Sequence, residues 1–361
     1  MRTIIRPEDP DRHEAPLKLG LALPHYDFSF PTQATPGQAT FERVAAYAKR
    51  AEDLGFYQLW VSDHFWIDLA RYGGPPGRQG TPECWVTLAG LAMLTRQVRL
   101  GSLVLANGMR PPTLLAKMIA TLDQLAGGRI DVGLGAGWNE LEFTEHELEY
   151  PGAGERLARL EEAVTVIKVL LGADLGSWQG SFYRADQAPV VPGPVQRPWP
   201  PLWIGGKGDR LLGVVARVAD GWNLCWKVVP EQYTERLALL ERHTAGAGRP
   251  PGAVRRSVGL NALLGRDADD LAERWRRLQA WAPGRVLDDV SLRDWAVGRL
   301  VGTPDQVADQ LTGWAGLGVE QVIANFAHLP FAVFEDEQLE LAAELVIPRL
   351  PDPVGPAAAG A

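Results

Sequence analysis

Eight times between Leu17 and Leu345 a short apolar run gives way to an amphipathic segment, and this alternation limits the possible folds more than any other feature. Short apolar runs bounded by turn residues read as buried strands, and apolar positions recurring with a 3.6-residue period read as helices. Strands are predicted over Leu17–Leu23, Tyr57–Ser62, Val98–Leu105, Ile130–Leu134, Leu202–Ile204, Gly221–Leu224, Ser257–Leu264 and Gln321–Asn325. Helices are predicted from Thr40 to the stop at Gly55, from a Thr81-Pro82 cap to about Thr95, and over Pro112–Ala126, Glu155–Leu171, Arg210–Ala219, Glu231–His243 and Glu335–Leu345. Thr303-Pro304-Asp305-Gln306 has the spacing of a capping box and opens a further helix. Alternating strands and helices imply parallel strands joined by crossovers. Eight such units are the number that closes a (β/α)8 TIM barrel. The rival is an open doubly wound sheet, whose mark would be a Gly-x-Gly-x-x-Gly turn after the first strand. Pro24-His25-Tyr26 stands there instead.

Two stretches exceed the regular alternation and read as insertions after strands four and seven. Residues 176–200 are rich in Gly, Pro and aromatics and suggest a hairpin; residues 267–300 form a more polar helical tract. With no break in composition, residues 17–350 read as one domain. The charged, Pro-containing residues 1–16 and the small, Pro-rich residues 351–361 read as disordered tails.

Composition removes several function classes. No apolar run reaches the roughly 18 residues of a membrane helix, and MRTIIRPEDPDRHEAP lacks the apolar core of a secretory signal. Thirty-six basic against 44 acidic residues, with no basic stripe, argue against a nucleic-acid partner. Two cysteines, Cys84 and Cys225, are too few for a disulfide scaffold or a zinc cluster. A soluble cytoplasmic protein acting on a small molecule is expected. Several of the 13 tryptophans stand beside strand ends, where planar side chains suit a pocket for a flat ligand. Any single one also reads as ordinary packing.

Barrel active sites lie at the C-terminal ends of the strands. That rule selects His25 after strand one, Asp63, His64 and Trp66 after strand two, and Asn107 after strand three. It also selects the run from Gly133 to Glu140, then Gly205-Gly206-Lys207-Gly208-Asp209, then Trp226 and His328. An imidazole exchanges protons near neutral pH, so His64 is the candidate acid/base, with Asp63 as orienter. The same pair also fits a plain turn. Gly205-Gly206-Lys207 ends a strand and opens a helix, where amides, helix dipole and a lysine charge suit an anion; a tight strand-to-helix turn fits too. Glycines at 133, 135 and 137 permit close approach of backbone to a flat ring. No metal-ligand spacing and no Gly-x-Ser-x-Gly elbow is present, and no metal is expected. Glu140, Glu142 and Asp63 leave a carboxylate pair of glycosidase type open.

The string RLGSLVLANGMRPPTLLAKMIATLDQLAGGRIDVGLGAGWNELEF resembles the central signature of the bacterial luciferase-like monooxygenase superfamily. LGFYQLWVSDHF, GERLARLEEAVTVIKVLL, PLWIGGKGDRLLGVVARVADGWN and VGTPDQVADQLTGWAGLGVEQVI fit the same pattern. The resemblance implies a TIM-type barrel binding coenzyme F420, a deazaflavin, or alternatively FMN. It also implies a cytoplasmic enzyme and a homodimer. The Asp-His pair resembles deazaflavin-dependent members that transfer hydride. Carried onto this chain, His64 is catalytic, with Asp63 touching the coenzyme or setting the loop. His25, Trp66 and Trp226 belong to the substrate pocket. A non-prolyl cis peptide that props the ring maps to Ser102-Leu103. Leu105, Asn107, Gly137, Trp138 and Asn139 surround the ring and its side chain, and Gly205, Gly206 and Lys207 hold the phosphate. Three functions follow: an F420-dependent oxidoreductase transferring hydride to or from a small organic substrate, an FMN-dependent monooxygenase using oxygen, or a catalytically silent flavin-binding protein. The loop Ala-Asn-Gly-Met-Arg-Pro-Pro departs from relatives that carry a proline and an aromatic before the arginine.

Overall fold

The computed structural model describes residues 16–30, 40–172 and 175–351. The predicted tails, apart from Pro16 and Pro351, lie outside the described residues. Eight strands carry the parallel pairing: β1 Lys18–Ala22, β2 Gln58–Val61, β3 Arg99–Ala106, β4 Ile130–Gly135, β5 Leu202–Gly205, β6 Gly221–Trp226, β7 Arg255–Leu264 and β8 Gln321–Asn325. Each overlaps its predicted run. The longer helices are α1 Phe41–Asp53, α2 Cys84–Leu94, α3 Pro112–Leu125, α4 Ala153–Leu171, α5 Asp209–Val218, α6 Pro230–Gly246, α7 Ala268–Trp281 and α8 Pro304–Gly316.

The chain divides into two compact units. Glu83–Asn223 and Glu235–Arg255 make the first. In it β3 pairs with β4, β4 with β5 and β5 with β6, all parallel, with Leu100 opposite Ile130, Val132 opposite Leu202 and Trp203 opposite Gly221. All six residues of β4 are buried, as expected of a parallel strand covered on both faces. A buried Lys168–Asp220 ion pair at 2.7 Å closes the base of this unit, with Trp199 Nε1 donating to the same aspartate. The second unit holds the described residues up to Pro82 with Leu224–Thr234 and the chain from Arg256 onward. There β1 pairs with β2 and β8, and β8 with β7, again parallel. Four strands in each unit, each leading into helix, give the eight repeats of the predicted barrel class.

Several details differ from the sequence reading. Thr81 does not cap α2: the helix starts at Cys84, and the Glu83 carboxylate accepts from Val86 N at 2.6 Å. The reason is local, because Arg78–Gly80 forms an unpredicted two-stranded ribbon with Trp66–Asp68. The predicted hairpin exists, as Leu175–Gln179 against Arg184–Pro189. The 267–300 tract is α7, then a short helix Leu292–Ala296, and it ends in a small parallel strand, Leu300–Gly302, on the edge of β7. The capping box before α8 is formed, with Thr303 N donating to Gln306 Oε1 at 3.0 Å. Among the described residues no helix is long and apolar enough to cross a membrane, and no group of three or more His, Cys, Asp or Glu is placed to hold a metal.

Candidate functional site

In the first unit the predicted residues cluster at the C-terminal ends of β3, β4 and β5. The β3–β4 register shifts between Ser102 and Leu105. Where the ladder falters, Ser102 takes over: its Oγ donates to Gly133 O and accepts from Gly133 N, both at 3.0 Å. Ser102 is fully buried and its hydroxyl serves the strand. Leu103 and Leu105 are buried too. The non-prolyl cis peptide predicted at Ser102-Leu103 stands instead one residue later, at Leu103-Val104; Cys225-Trp226 is a second. Val104 is half-buried. A β-carbon at Gly133, Gly135 or Gly205 would come within 3.0, 2.7 and 3.0 Å of its methyls. One at Gly137, where φ is +76°, would lie 2.8 Å from the Phe143 ring. Within the protein, the space these glycines leave is taken up by Val104 and Phe143.

Asn107 donates from its backbone to Gly135 O at 2.8 Å, and its side-chain amide lies 3.5 Å from the Tyr183 hydroxyl. Tyr183 sits at the hairpin tip, which α4 holds through one carboxylate: Glu162 accepts from the backbone N–H groups of Ser181, Phe182 and Tyr183 and from Trp178 Nε1. Charge-assisted acceptance of several amides by one carboxylate fixes such a tip firmly. Trp138 is 43% exposed and its carbonyl accepts from the Tyr150 hydroxyl at 3.0 Å. Asn139 starts the short helix Glu140–Thr144 with its backbone alone. Glu142 of that helix is buried and Glu140 exposed, so these two carboxylates do not face one another.

The Gly205–Asp209 turn is rigid where it leaves β5 and open where it meets α5. Gly206 N donates to Asn223 O at 3.0 Å, Gly206 O accepts from Trp222 Nε1 at 2.8 Å, and φ is +135°. Gly208 caps α5 without a side-chain bond, so the cap residue leaves the amides of the first turn unmet. Lys207 is exposed. Backbone donors, the positive end of a ten-residue helix and a lysine together form a donor set suited to a phosphate.

In the second unit, Asp63 is buried and His64 partly exposed directly after β2. Behind them lies a closed hydrogen-bond chain. His25 Nδ1 is 2.6 Å from Leu23 O, and a carbonyl only accepts, so Nδ1 carries the proton. Nε2 therefore accepts from Ser62 Oγ at 2.8 Å, and the Tyr26 hydroxyl donates to Ser62. Burial pushes the His25 pKa down to about 3. His25 is fully buried. Trp66 lies under the Arg78 guanidinium at 4.0 Å, and Trp226 meets Phe331 edge-on at 5.3 Å.

Four features escaped the sequence reading: Val104, Tyr183, the Tyr26–Ser62–His25 chain and the cluster that Trp295 and Arg299 form with His328 after β8. In that cluster Trp295 Nε1 donates to His328 Nδ1 at 3.1 Å, and the Arg299 guanidinium lies 4.8 Å from the Trp295 ring. Burial, assisted by Arg299, lowers the His328 pKa to about 4. The prominence of His328 at a strand end was a usable signal; Tyr183 and Arg299 lie in variable tracts where residue type alone says nothing of position.

Compared with known proteins, the chain matches the sequence profile of luciferase-like monooxygenases over residues 25–321. It is 28% identical over 343 residues to an F420-dependent glucose-6-phosphate dehydrogenase of Kineococcus radiotolerans, covering 89% of this chain and 92% of that one. Among solved structures, a monooxygenase from Streptomyces bottropensis superposes with a TM-score of 0.71 at 26% identity, over 92% of this chain and 99% of the other. An F420-dependent secondary alcohol dehydrogenase superposes with a TM-score of 0.72 at 19% identity, over 93% and 100%. Both likenesses run over nearly the whole chain and show the fold, the (β/α)8 barrel. With a family profile that spans most of its length, this chain belongs to the luciferase-like monooxygenase family.

Proposed function

We propose that the protein is a coenzyme F420-dependent oxidoreductase that transfers hydride between the deazaflavin and an oxygen-bearing carbon of a small organic substrate. The observation that carries this reading is the Gly205–Asp209 turn, whose uncapped α5 amides and exposed Lys207 offer an anion site at a strand end. The F420-dependent glucose-6-phosphate dehydrogenase similar over 89% of the chain supports it. Gly205, Gly206 and Lys207 would hold the coenzyme phosphate. Asn107, Gly137, Trp138 and Asn139 would border the ring system, with Val104 presenting an apolar face to it. Ser102, Leu103 and Leu105 shape that strand from within.

The coenzyme, when bound, supplies hydride acceptance or donation. His64 takes the proton from the substrate hydroxyl as hydride leaves its carbon, and returns it in the opposite direction. His25 is unsuited to that task, because both its nitrogens are engaged and burial keeps it neutral. Its part, with Ser62 and Tyr26, is to fix the backbone from which Asp63 and His64 project. Asp63 orients the loop or meets the coenzyme. Trp66 and Trp226 supply planar walls that exclude water from the reacting atoms. The chain would act in the cytoplasm, as a homodimer, with residues 17–350 working as one domain.

A second reading, an FMN-dependent monooxygenase, is favoured by the 26% identity to the Streptomyces bottropensis monooxygenase. Equilibrium titration of the purified protein with F420 and with FMN separates the two. The proposal expects F420 to bind and FMN to bind at least ten-fold more weakly, and tight FMN with no F420 binding would replace it by the second reading.

A further inference from the structure

Behind Asn107, the first unit contains a cavity of about 280 Å³ whose walls include Asn107, Phe143, Pro151, Arg156 and Arg159, with the exposed Glu147 and Glu149. Its size accommodates a carboxylate-bearing arm. The two arginines differ. Arg159 is matched by Glu155 at 2.7 Å and Glu149 at 3.2 Å. Arg156 has no carboxylate partner among the described residues. Its guanidinium stacks at 4.0 Å on Tyr150, its Nη1 donates to Pro151 O at 2.6 Å, and its Nε is buried with no acceptor. A half-buried guanidinium with an unmet donor, held in place by stacking, is prepared for an anion.

The surroundings point to the coenzyme side of the reaction. Asn107 lines the cavity, and Tyr150 ties it to the Trp138 carbonyl. On the opposite face of α4, Gly154, Leu157 and Glu161 border a groove with Asp209, Arg210 and Arg217 of α5, the helix that opens at Lys207. Gly152 and Gly154, between groove and cavity, have open space where a side chain would stand. A flexible anionic chain leaving the α5 N-terminus can therefore cross the first turn of α4 without obstruction.

We propose that the Arg156 cavity is a subsite for the carboxylate-bearing glutamyl tail of the deazaflavin coenzyme, beyond the phosphate held at Gly206 and Lys207. The inference rests on the F420 reading above. Its test compares the affinity of the wild type for three ligands by fluorescence titration: the tail-less deazaflavin nucleoside, F420 without glutamates, and F420 carrying several. Wild type is expected to bind the glutamylated form about ten-fold more tightly than the form without glutamates, the size of one charge-assisted contact. Arg156→Gln removes that gain and leaves the nucleoside affinity unchanged, which also shows the variant to be folded. Arg156→Lys restores part of the gain. Arg210→Gln, on the approach, reduces it less. Equal affinity of wild type for the forms with and without glutamates overturns the subsite while leaving the coenzyme reading intact. So does an Arg156→Gln loss that is the same for all three ligands. Failure of the wild type to bind any of them overturns the coenzyme reading and the subsite together.

Discussion

The two units of this chain solve the same packing problem with opposite chemistry at their strand ends. In the first, the ends of β3, β4 and β5 are lined by glycines, and backbone groups do the work: Ser102 replaces a faltering ladder, Val104 fills the space three β-carbons would need, and the Gly206 turn opens onto uncapped amides. In the second, the ends of β1, β2 and β8 are crowded with rings, and side chains do the work: His25, Ser62 and Tyr26 form a closed chain, and Trp295 orients His328. A backbone-lined surface suits binding of an anionic, flat coenzyme. A surface that carries the partly exposed His64 and His328, with a buried neutral His25, suits proton handling.

On that division, the largest single effect belongs to His64. His64→Ala is expected to lower turnover by about 10²- to 10⁴-fold on any alcohol the wild type oxidises, measured as the rate of coenzyme reduction. A variant that keeps more than a third of the wild-type rate would take the proton step away from the second unit.

Acid should find the second unit as well. Burial holds His25 at about 3 and His328 at about 4, against 6.5 for a free imidazole. Above the unfolded value both states are neutral and nothing is gained or lost. Below it the unfolded chain binds protons that the folded chain refuses, so stability falls as pH drops towards the folded values. Between pH 7 and pH 5 the cost is about 2 kcal/mol for His25 and slightly less for His328. Denaturant midpoints at the two pH values measure it, and Ser62→Ala, which removes the hydroxyl donor to His25 Nε2 and leaves only the Ser62 amide at 3.3 Å, should make the slope shallower. A midpoint indifferent to pH over that range would mean that these histidines are not held neutral.

The first unit should fail by geometry instead. A β-carbon at Gly133 would stand 2.2 Å from Ser102 O, a backbone atom that cannot swing aside. Gly133→Ala is expected to cost about 2–3 kcal/mol in denaturant unfolding, with no change in its pH dependence. A neutral outcome would show that β3 gives way there, and that Val104 does not occupy a fixed place.

What the sequence made legible follows from the same contrast. Strand positions came through because parallel strands buried on both faces are continuous apolar runs, and every one of the eight was found within a few residues. Glycine turns came through because Gly205-Gly206-Lys207 has few physical uses. The purpose of Gly133 and Gly135 did not, since the partner that needs their space, Val104, lies on another strand. The Glu83 cap was masked by a more usual Thr-Pro start two residues earlier. Tyr183 and the buried role of His25 were illegible for a common reason: each depends on a partner far away in the chain, Glu162 for one and Ser62 for the other, and residue type does not announce such pairing.

The division of labour is tested most directly by coenzyme affinity in two variants. Equilibrium titration with F420 should show Lys207→Ala binding about ten-fold more weakly than wild type, through loss of one charge-assisted contact, and His64→Ala within two-fold of it. The opposite pattern, with Lys207→Ala unchanged and His64→Ala unable to hold the coenzyme, would contradict the account.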